Sequence, residues 1–173
     1  LLKVWDFPEI ITINMNNSPL SFSTDKVLIL DDTRLMRFAL MNVLKKLQFK
    51  DIKDTYSVKQ AKSWLENWNN NPQMNAPLMA PSASDKQWKG PDLIFLDINL
   101  TGSSKTEQKS GLDVLQDIRA MEGGDIPFIV IASAADPQEV ASKSFELGAN
   151  SYLPKPFNGN NILEVMKGYR DQR

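Results

Sequence analysis

Five short apolar runs, each closed by a polar residue and followed by a segment of helical period, constrain this chain more than any other feature. The first run, Val27-Leu28-Ile29-Leu30, ends at Asp31-Asp32, and apolar residues then recur at Met36, Leu40, Val43, Leu44 and Leu47. That spacing puts one helix face against a sheet. The second run, residues 51–56, is weak and reads as an edge strand. Ser57 with Gln60 forms a capping-box pattern ahead of the Val58, Ala61, Leu65, Trp68 stripe. Leu93-Ile94-Phe95-Leu96 is unbroken apolar sequence ending at Asp97, as expected of a central strand covered on both faces. Its helix begins after Ser110-Gly111, buries Leu112, Leu115 and Ile118, and stops near Gly123-Gly124. Residues 126–132 form the fourth run. Asp136, Pro137 and Glu139 read as N-cap, first helical position and capping carboxylate, and Gly148 as the stop. Residues 151–154 form the fifth run, and after Asn158 the residues Ile162, Val165, Met166 and Tyr169 share one helix face. Strands alternating with helices in this way predict an α/β domain with a parallel sheet wrapped by helices.

Three stretches fall outside that plan. Residues 1–25 read as an N-terminal extension, in which Ile11, Ile13 and Met15 alternate with polar residues like a strand, ahead of a domain spanning 26–173. Residues 69–90 are rich in Asn, Pro, Ser and Met without period and read as an insertion. A second, polar insertion at 101–110 follows the Asp97 strand directly, where loops of an open parallel sheet line the ligand crevice. Trp64 and Trp68 lie at helical spacing and read as core or insertion-packing residues.

Composition removes whole classes of chemistry. With 173 residues, 42% of them hydrophobic, one domain with its own core is expected. Cysteine and histidine are both absent, which excludes disulfides, thiolate or imidazole metal sites and histidine-based catalysis. A formal net charge of -1 gives no footprint for a polyanion, so direct nucleic-acid binding is not expected. The apolar runs are too short to span a bilayer and the first residues lack a signal-peptide order, so a cytoplasmic, soluble domain without membrane contact is expected.

In an open parallel sheet, residues that end different strands converge at the carboxyl edge, and Asp31, Asp32, Asp97, Ser133 and Lys155 all end strands here. Crowded carboxylates repel unless a cation sits among them, and oxygen-only donors favour Mg²⁺, with Mn²⁺ as a substitute. An aspartate can then attack phosphorus if metal, lysine and hydroxyl neutralise the developing charge. Taken singly, each residue also has a structural reading, as an N-cap aspartate, a small strand-end serine or a solvated Lys-Pro turn. Their coincidence at consecutive strand ends is what separates the two readings.

These motifs resemble the response-regulator receiver domains of two-component signalling, over nearly everything from Lys26 to Arg170. Leu30-Asp31-Asp32 is similar to that family's acidic pair, Leu96-Asp97-Ile98-Asn99-Leu100 to its phosphoacceptor strand end, Ala132-Ser133-Ala134 to its switch hydroxyl and Lys155-Pro156-Phe157 to its lysine signature. The resemblance implies a flavodoxin-like (βα)5 doubly wound sheet of order 2-1-3-4-5 and phosphorylation of Asp97. It implies Mg²⁺ held by Asp32, Asp97 and the Asn99 backbone carbonyl, with Asp31 acting through water. Lys155 would pair with phosphoryl oxygens and precede a cis bond to Pro156, and Ser133 with Tyr152 would form the switch. It further implies a histidine kinase or histidine phosphotransfer protein as donor, self-catalysed transfer rather than turnover, and a homodimer through the fourth helix, fifth strand and fifth helix.

The sequence departs from the family pattern after Leu100, where 101–110 lengthens a usually short turn before Gly111-Leu112-Asp113. Ala135, two residues past Ser133, offers no side chain to position a hydrolytic water, so slow loss of the phosphoryl group is expected. Two other functions compete. A receiver-like interaction module would never be phosphorylated. A haloacid-dehalogenase-type phosphatase would place its nucleophile at the first strand with a second acid two residues on, but Asp31 is followed by Asp32 and Thr33.

Overall fold

The computed structural model describes residues 22–70, 88–100, 110–121, 123–135 and 137–173. The alternating periods become β1 (Lys26–Leu30), α1 (Arg34–Lys46), β2 (Asp51–Thr55), α2 (Val58–Asn70), β3 (Leu93–Asp97), α3 (Gly111–Arg119), β4 (Phe128–Ser133), α4 (Pro137–Glu146), β5 (Ser151–Pro154) and α5 (Gly159–Asp171). The strands pair in parallel in the order β2-β1-β3-β4-β5. The chain therefore steps outward from β1 to β2 and then reverses to β3, which opens a crevice at the carboxyl ends of β1 and β3. The flavodoxin-like arrangement expected from the motifs is the one observed.

Side chains alternate across each central strand, so an unbroken apolar run feeds two cores at once. Val27, Ile29, Leu93, Phe95, Val130 and Leu153 point to a layer shared with Leu40 and Leu44 of α1 and Ile162, Val165, Met166 and Tyr169 of α5. Leu28, Leu30, Ile94, Leu96, Ile129 and Ile131 point the other way, to Val58, Ala61, Leu65 and Trp68 of α2 and Val114, Leu115 and Ile118 of α3. Edge strand β2 is mostly half-exposed, which accounts for its faint sequence signal.

Some boundaries move. The fourth strand starts at Phe128, not at Ile126, which is 55% exposed; Pro127 has no N–H to give to a ladder at that point. Helix α3 begins at Gly111, so the 3.6-residue period buries Val114 with Leu115 and Ile118 and leaves Leu112 half-buried. It closes at Arg119, ahead of Gly123-Gly124, where the backbone tightens as the Met121 amide donates to the Ile118 carbonyl at 3.0 Å and Gly123 takes a φ of 71°; the Arg119 guanidinium donates to the carbonyls of Gly124, Pro127 and Gly148. At α2 the Gln60 amide does donate to Ser57 Oγ (3.3 Å), but the Gln60 side chain accepts from the Thr55 hydroxyl instead of the Ser57 amide. The Ser57 amide donates to Thr55 Oγ1, so strand β2 and the cap are tied together. Helices α3 and α5 carry complete boxes at Ser110/Asp113 and Asn158/Asn161.

Part of the N-terminal extension joins the domain. Phe22 stacks on Phe49 with ring centroids 4.8 Å apart, and the buried Asp25 accepts from the Tyr169 hydroxyl at 2.8 Å and pairs with Arg173 at 2.7 Å. Burial and the neighbouring Asp25 carboxylate push the Tyr169 hydroxyl far above its ordinary pKa, so it stays a donor. The strand reading at Ile11, Ile13 and Met15 lies outside the described residues, as do 71–87 and 101–109 within the two insertions. Trp68 in α2 and Trp88 near the end of the first insertion pack into the α2–α3 layer at the edge where the strands begin. The second is flanked by Leu100 and Ser110, beside Asp97.

Gly111 makes that flank possible. A Cβ placed there would lie 2.1 Å from the Asp97 carbonyl oxygen and 2.8 Å from its carbon, and backbone on both sides cannot give way cheaply. Its amide donates to the Ile98 carbonyl at 3.2 Å, fixing the first turn of α3 against the end of β3. Gly111→Ala should therefore cost about 3 kcal/mol, the upper range for overpacking, read as a lower urea midpoint at unchanged slope. An unaltered midpoint would show that α3 can shift away without loss.

Candidate functional site

Parallel register lines up the strand ends. Leu30 is opposite Leu96, Asp97 opposite Ala132, and Ser133 opposite Pro154, so the ends of neighbouring strands β1, β3, β4 and β5 fall within one residue of one another along the carboxyl edge. The Lys155 amide extends the last ladder by donating to the Ser133 carbonyl at 2.7 Å, which sends the lysine side chain off from a fixed root.

Asp31, Asp32 and Asp97 each bring a carboxylate oxygen within 4.8 Å of the others. Asp31 and Asp97 are buried, at 2% and 3% exposure, while Asp32 is half-buried. The Lys155 ammonium reaches both buried acids, 2.7 Å from Asp31 Oδ2 and 2.8 Å from Asp97 Oδ2. Backbone donors hold the remaining oxygens: the Thr33 amide donates to Asp31 Oδ1 at 2.7 Å, and the Asn99 amide to Asp97 Oδ1 at 3.1 Å. Burial raises the Asp97 pKa, the Lys155 and Asn99 contacts oppose that rise, and the Asp31 charge adds to it.

Three carboxylates gather around one ammonium, an excess of negative charge that suits a divalent cation. Asp31 Oδ2 is buried and accepts no hydrogen bond, being met only by the lysine charge. All the donors are hard oxygens, the set preferred by Mg²⁺ and Mn²⁺. The residues present therefore fit such an ion.

The other residues singled out from sequence lie at the same edge. Ser133 is buried at the end of β4, its Oγ accepting from the Ala135 amide at 3.0 Å. The Tyr152 hydroxyl donates to the carbonyls of Ser133 and Ala135, both at 3.3 Å, so the aromatic ring is tied to the turn after β4. Asn99 and Ala135 are exposed, and the Lys155-Pro156 bond is cis. Sequence reasoning missed Thr33, Thr55 and Arg37. Thr55 accepts the Asp31 amide at its carbonyl (3.1 Å), and Arg37 donates to the Asp31 carbonyl (2.7 Å). Backbone acceptors leave no side-chain signature, and one arginine in a first helical turn has many readings.

Comparison with known proteins gives the family. Residues 78–167 match the family model of the response regulator receiver domain. The chain is 31% identical over 146 residues to the sensory transduction protein LytT of Bacillus subtilis (strain 168), covering 84% of this chain and 48% of that protein. It is 42% identical over 75 residues to the sensory transduction protein LytR of Staphylococcus epidermidis, covering 43% of this chain and 26% of that protein. The chain thus spans less than half the length of these curated relatives. Among solved structures, NtrX from Brucella abortus matches with a TM-score of 0.63 at 20% identity, over 86% of this chain and 27% of that one. The Mn²⁺-bound form of response regulator Rcp1 matches with a TM-score of 0.57 at 21% identity, over 85% of this chain and 92% of that one. With the sheet order, the acidic trio and the strand-end lysine in the same chain, the match of the family model across residues 78–167 has a direct meaning: this chain belongs to the response regulator receiver domain family.

Proposed function

We propose that this receiver domain accepts a phosphoryl group on Asp97 from a histidine kinase or histidine phosphotransfer protein and passes the signal on as a change of surface. The observation that carries the proposal is the Lys155 ammonium set between two buried carboxylates, one of which keeps an oxygen without a hydrogen bond. A structural ion pair needs one acid; a phosphoryl site needs a nucleophile, a metal and a cation for the incoming oxygens.

In this reading the Asp97 carboxylate attacks phosphorus, an acyl phosphate forms, and the bond to the donor's imidazole nitrogen breaks. Lys155 swings from Asp97 Oδ2 to the phosphoryl oxygens, a short move because its root is pinned to Ser133. Mg²⁺, or Mn²⁺ in its place, would be held by Asp32, Asp97 and the Asn99 carbonyl, with Asp31 through water, and when bound supplies positive charge for the phosphoryl oxygens. The Asn99 amide keeps Asp97 oriented. Ser133 Oγ would leave the Ala135 amide for the phosphoryl group, loosening the turn to which Tyr152 is bonded, so hydroxyl and ring would move together. The face altered is α4, β5 and α5, where Phe145 of α4 is 49% exposed; a homodimer would form there.

The domain boundary proposed is 26–173, with Phe22 to Asp25 packed onto it. No helix among the described residues is long and apolar enough to cross a membrane, and the site of action proposed is the cytoplasm.

Incubation with acetyl phosphate and Mg²⁺, followed by intact mass, should add one phosphoryl group to the wild type and none to Asp97→Asn. An adduct surviving in Asp97→Asn would refute the acceptor, and an unmodified wild type would favour the interaction module. Turnover of a chromogenic phosphate ester that Asp31→Asn abolishes would favour the phosphatase. Because Ala135 is exposed and carries no group to orient water, the phospho-form should persist well beyond seconds with Mg²⁺ present. Decay within seconds, followed by the same mass assay, would contradict that role for Ala135.

A further inference from the structure

Asp31 is hydrogen-bonded at its amide, its carbonyl and Oδ1, and its Oδ2 is met by the Lys155 charge. Its amide donates to the Thr55 carbonyl at 3.1 Å, its Oδ1 accepts from Thr33, its Oδ2 faces Lys155, and its carbonyl accepts from Arg37 Nη1 at 2.7 Å. Arg37 projects from the first turn of α1, and its side chain is 12% exposed. The same guanidinium pairs through Nε with Asp54 Oδ2 on edge strand β2 at 2.9 Å, and its Cζ lies 5.8 Å from the centre of the Tyr56 ring. A planar fork used at two points loses little freedom per bond, which suits it to fixing geometry.

Resting on the acidic-site reading above, we propose that Arg37 is a positioning residue for the divalent cation. Its bond to the Asp31 carbonyl and its pair with Asp54 set the turn from which Asp31 and Asp32 present their carboxylates. It touches neither the cation nor the phosphoryl group. Its charge is already met by Asp54, so its effect runs through the backbone.

The two routes by which Arg37 can influence a cation have opposite signs. Through space, removing a positive charge and exposing Asp54 should tighten Mg²⁺ binding. Through position, releasing the Asp31 carbonyl should weaken it. Isothermal titration with Mg²⁺ on wild type, Arg37→Met, Arg37→Lys and the double variant Arg37→Met/Asp54→Asn separates them. The double variant leaves net charge unchanged and strands no buried charge, so it isolates geometry. Weaker binding is expected in all three, by about tenfold in the double variant, the low end for residues that orient metal ligands. Lysine should not rescue, because one ammonium cannot serve both the Asp31 carbonyl and Asp54. Far-UV circular dichroism without metal checks each fold, and Arg37→Lys, which keeps charge and bulk, carries the test if a methionine variant unfolds. Wild-type or tighter affinity in a folded variant overturns the positioning role. A wild type that binds no Mg²⁺ overturns the metal reading itself, and this inference with it.

Discussion

One lysine holding two buried aspartates is the contact on which the rest of the domain depends. Asp31 and Asp97 are almost wholly buried, and like charges that close repel unless a cation stands between them. Lys155 supplies that cation from the far side of the sheet, at 2.7 and 2.8 Å, and leaves charge to spare for a divalent ion. The parallel sheet exists, in functional terms, to bring three strand ends into register so that this can happen.

Register explains why the site is robust to the unusual lengths elsewhere. The first insertion leaves and rejoins the domain through Trp68 and Trp88, at the edge where strands begin, opposite the acids. The second starts four residues after Asp97 and ends at a capped helix start, with Gly111 pressed on the Asp97 carbonyl. Length can be added at 101–109 because both flanks are pinned independently, Asn99 to Asp97 and Gly111 to Ile98.

Much of this was legible in the sequence because two-sided burial writes itself as unbroken apolar runs. Leu93 to Leu96 announced a central strand with Asp97 at its end. The α2 and α5 stripes named their buried faces correctly, since a helix on a sheet has one apolar side. What was illegible has physical causes too. Ile126 looked like strand sequence, yet Pro127 cannot join a ladder. Gln60 fitted a capping box, but Thr55 offered its side chain a competing partner at 2.6 Å. Phe22 and Asp25 carry no periodic signal, and their place depends on Phe49 and Tyr169, far away in sequence. Arg37 acts on a backbone carbonyl, which no residue pattern encodes.

The central claim is that the acids at the sheet edge form a divalent-cation site around Asp97. Anomalous scattering from crystals grown with Mn²⁺ tests it most directly. The account predicts one strong peak among Asp31, Asp32 and Asp97, with Asp32, Asp97 and the Asn99 carbonyl in direct contact. Crystals with no anomalous peak at this trio, and Lys155 still alone between Asp31 and Asp97, would contradict it.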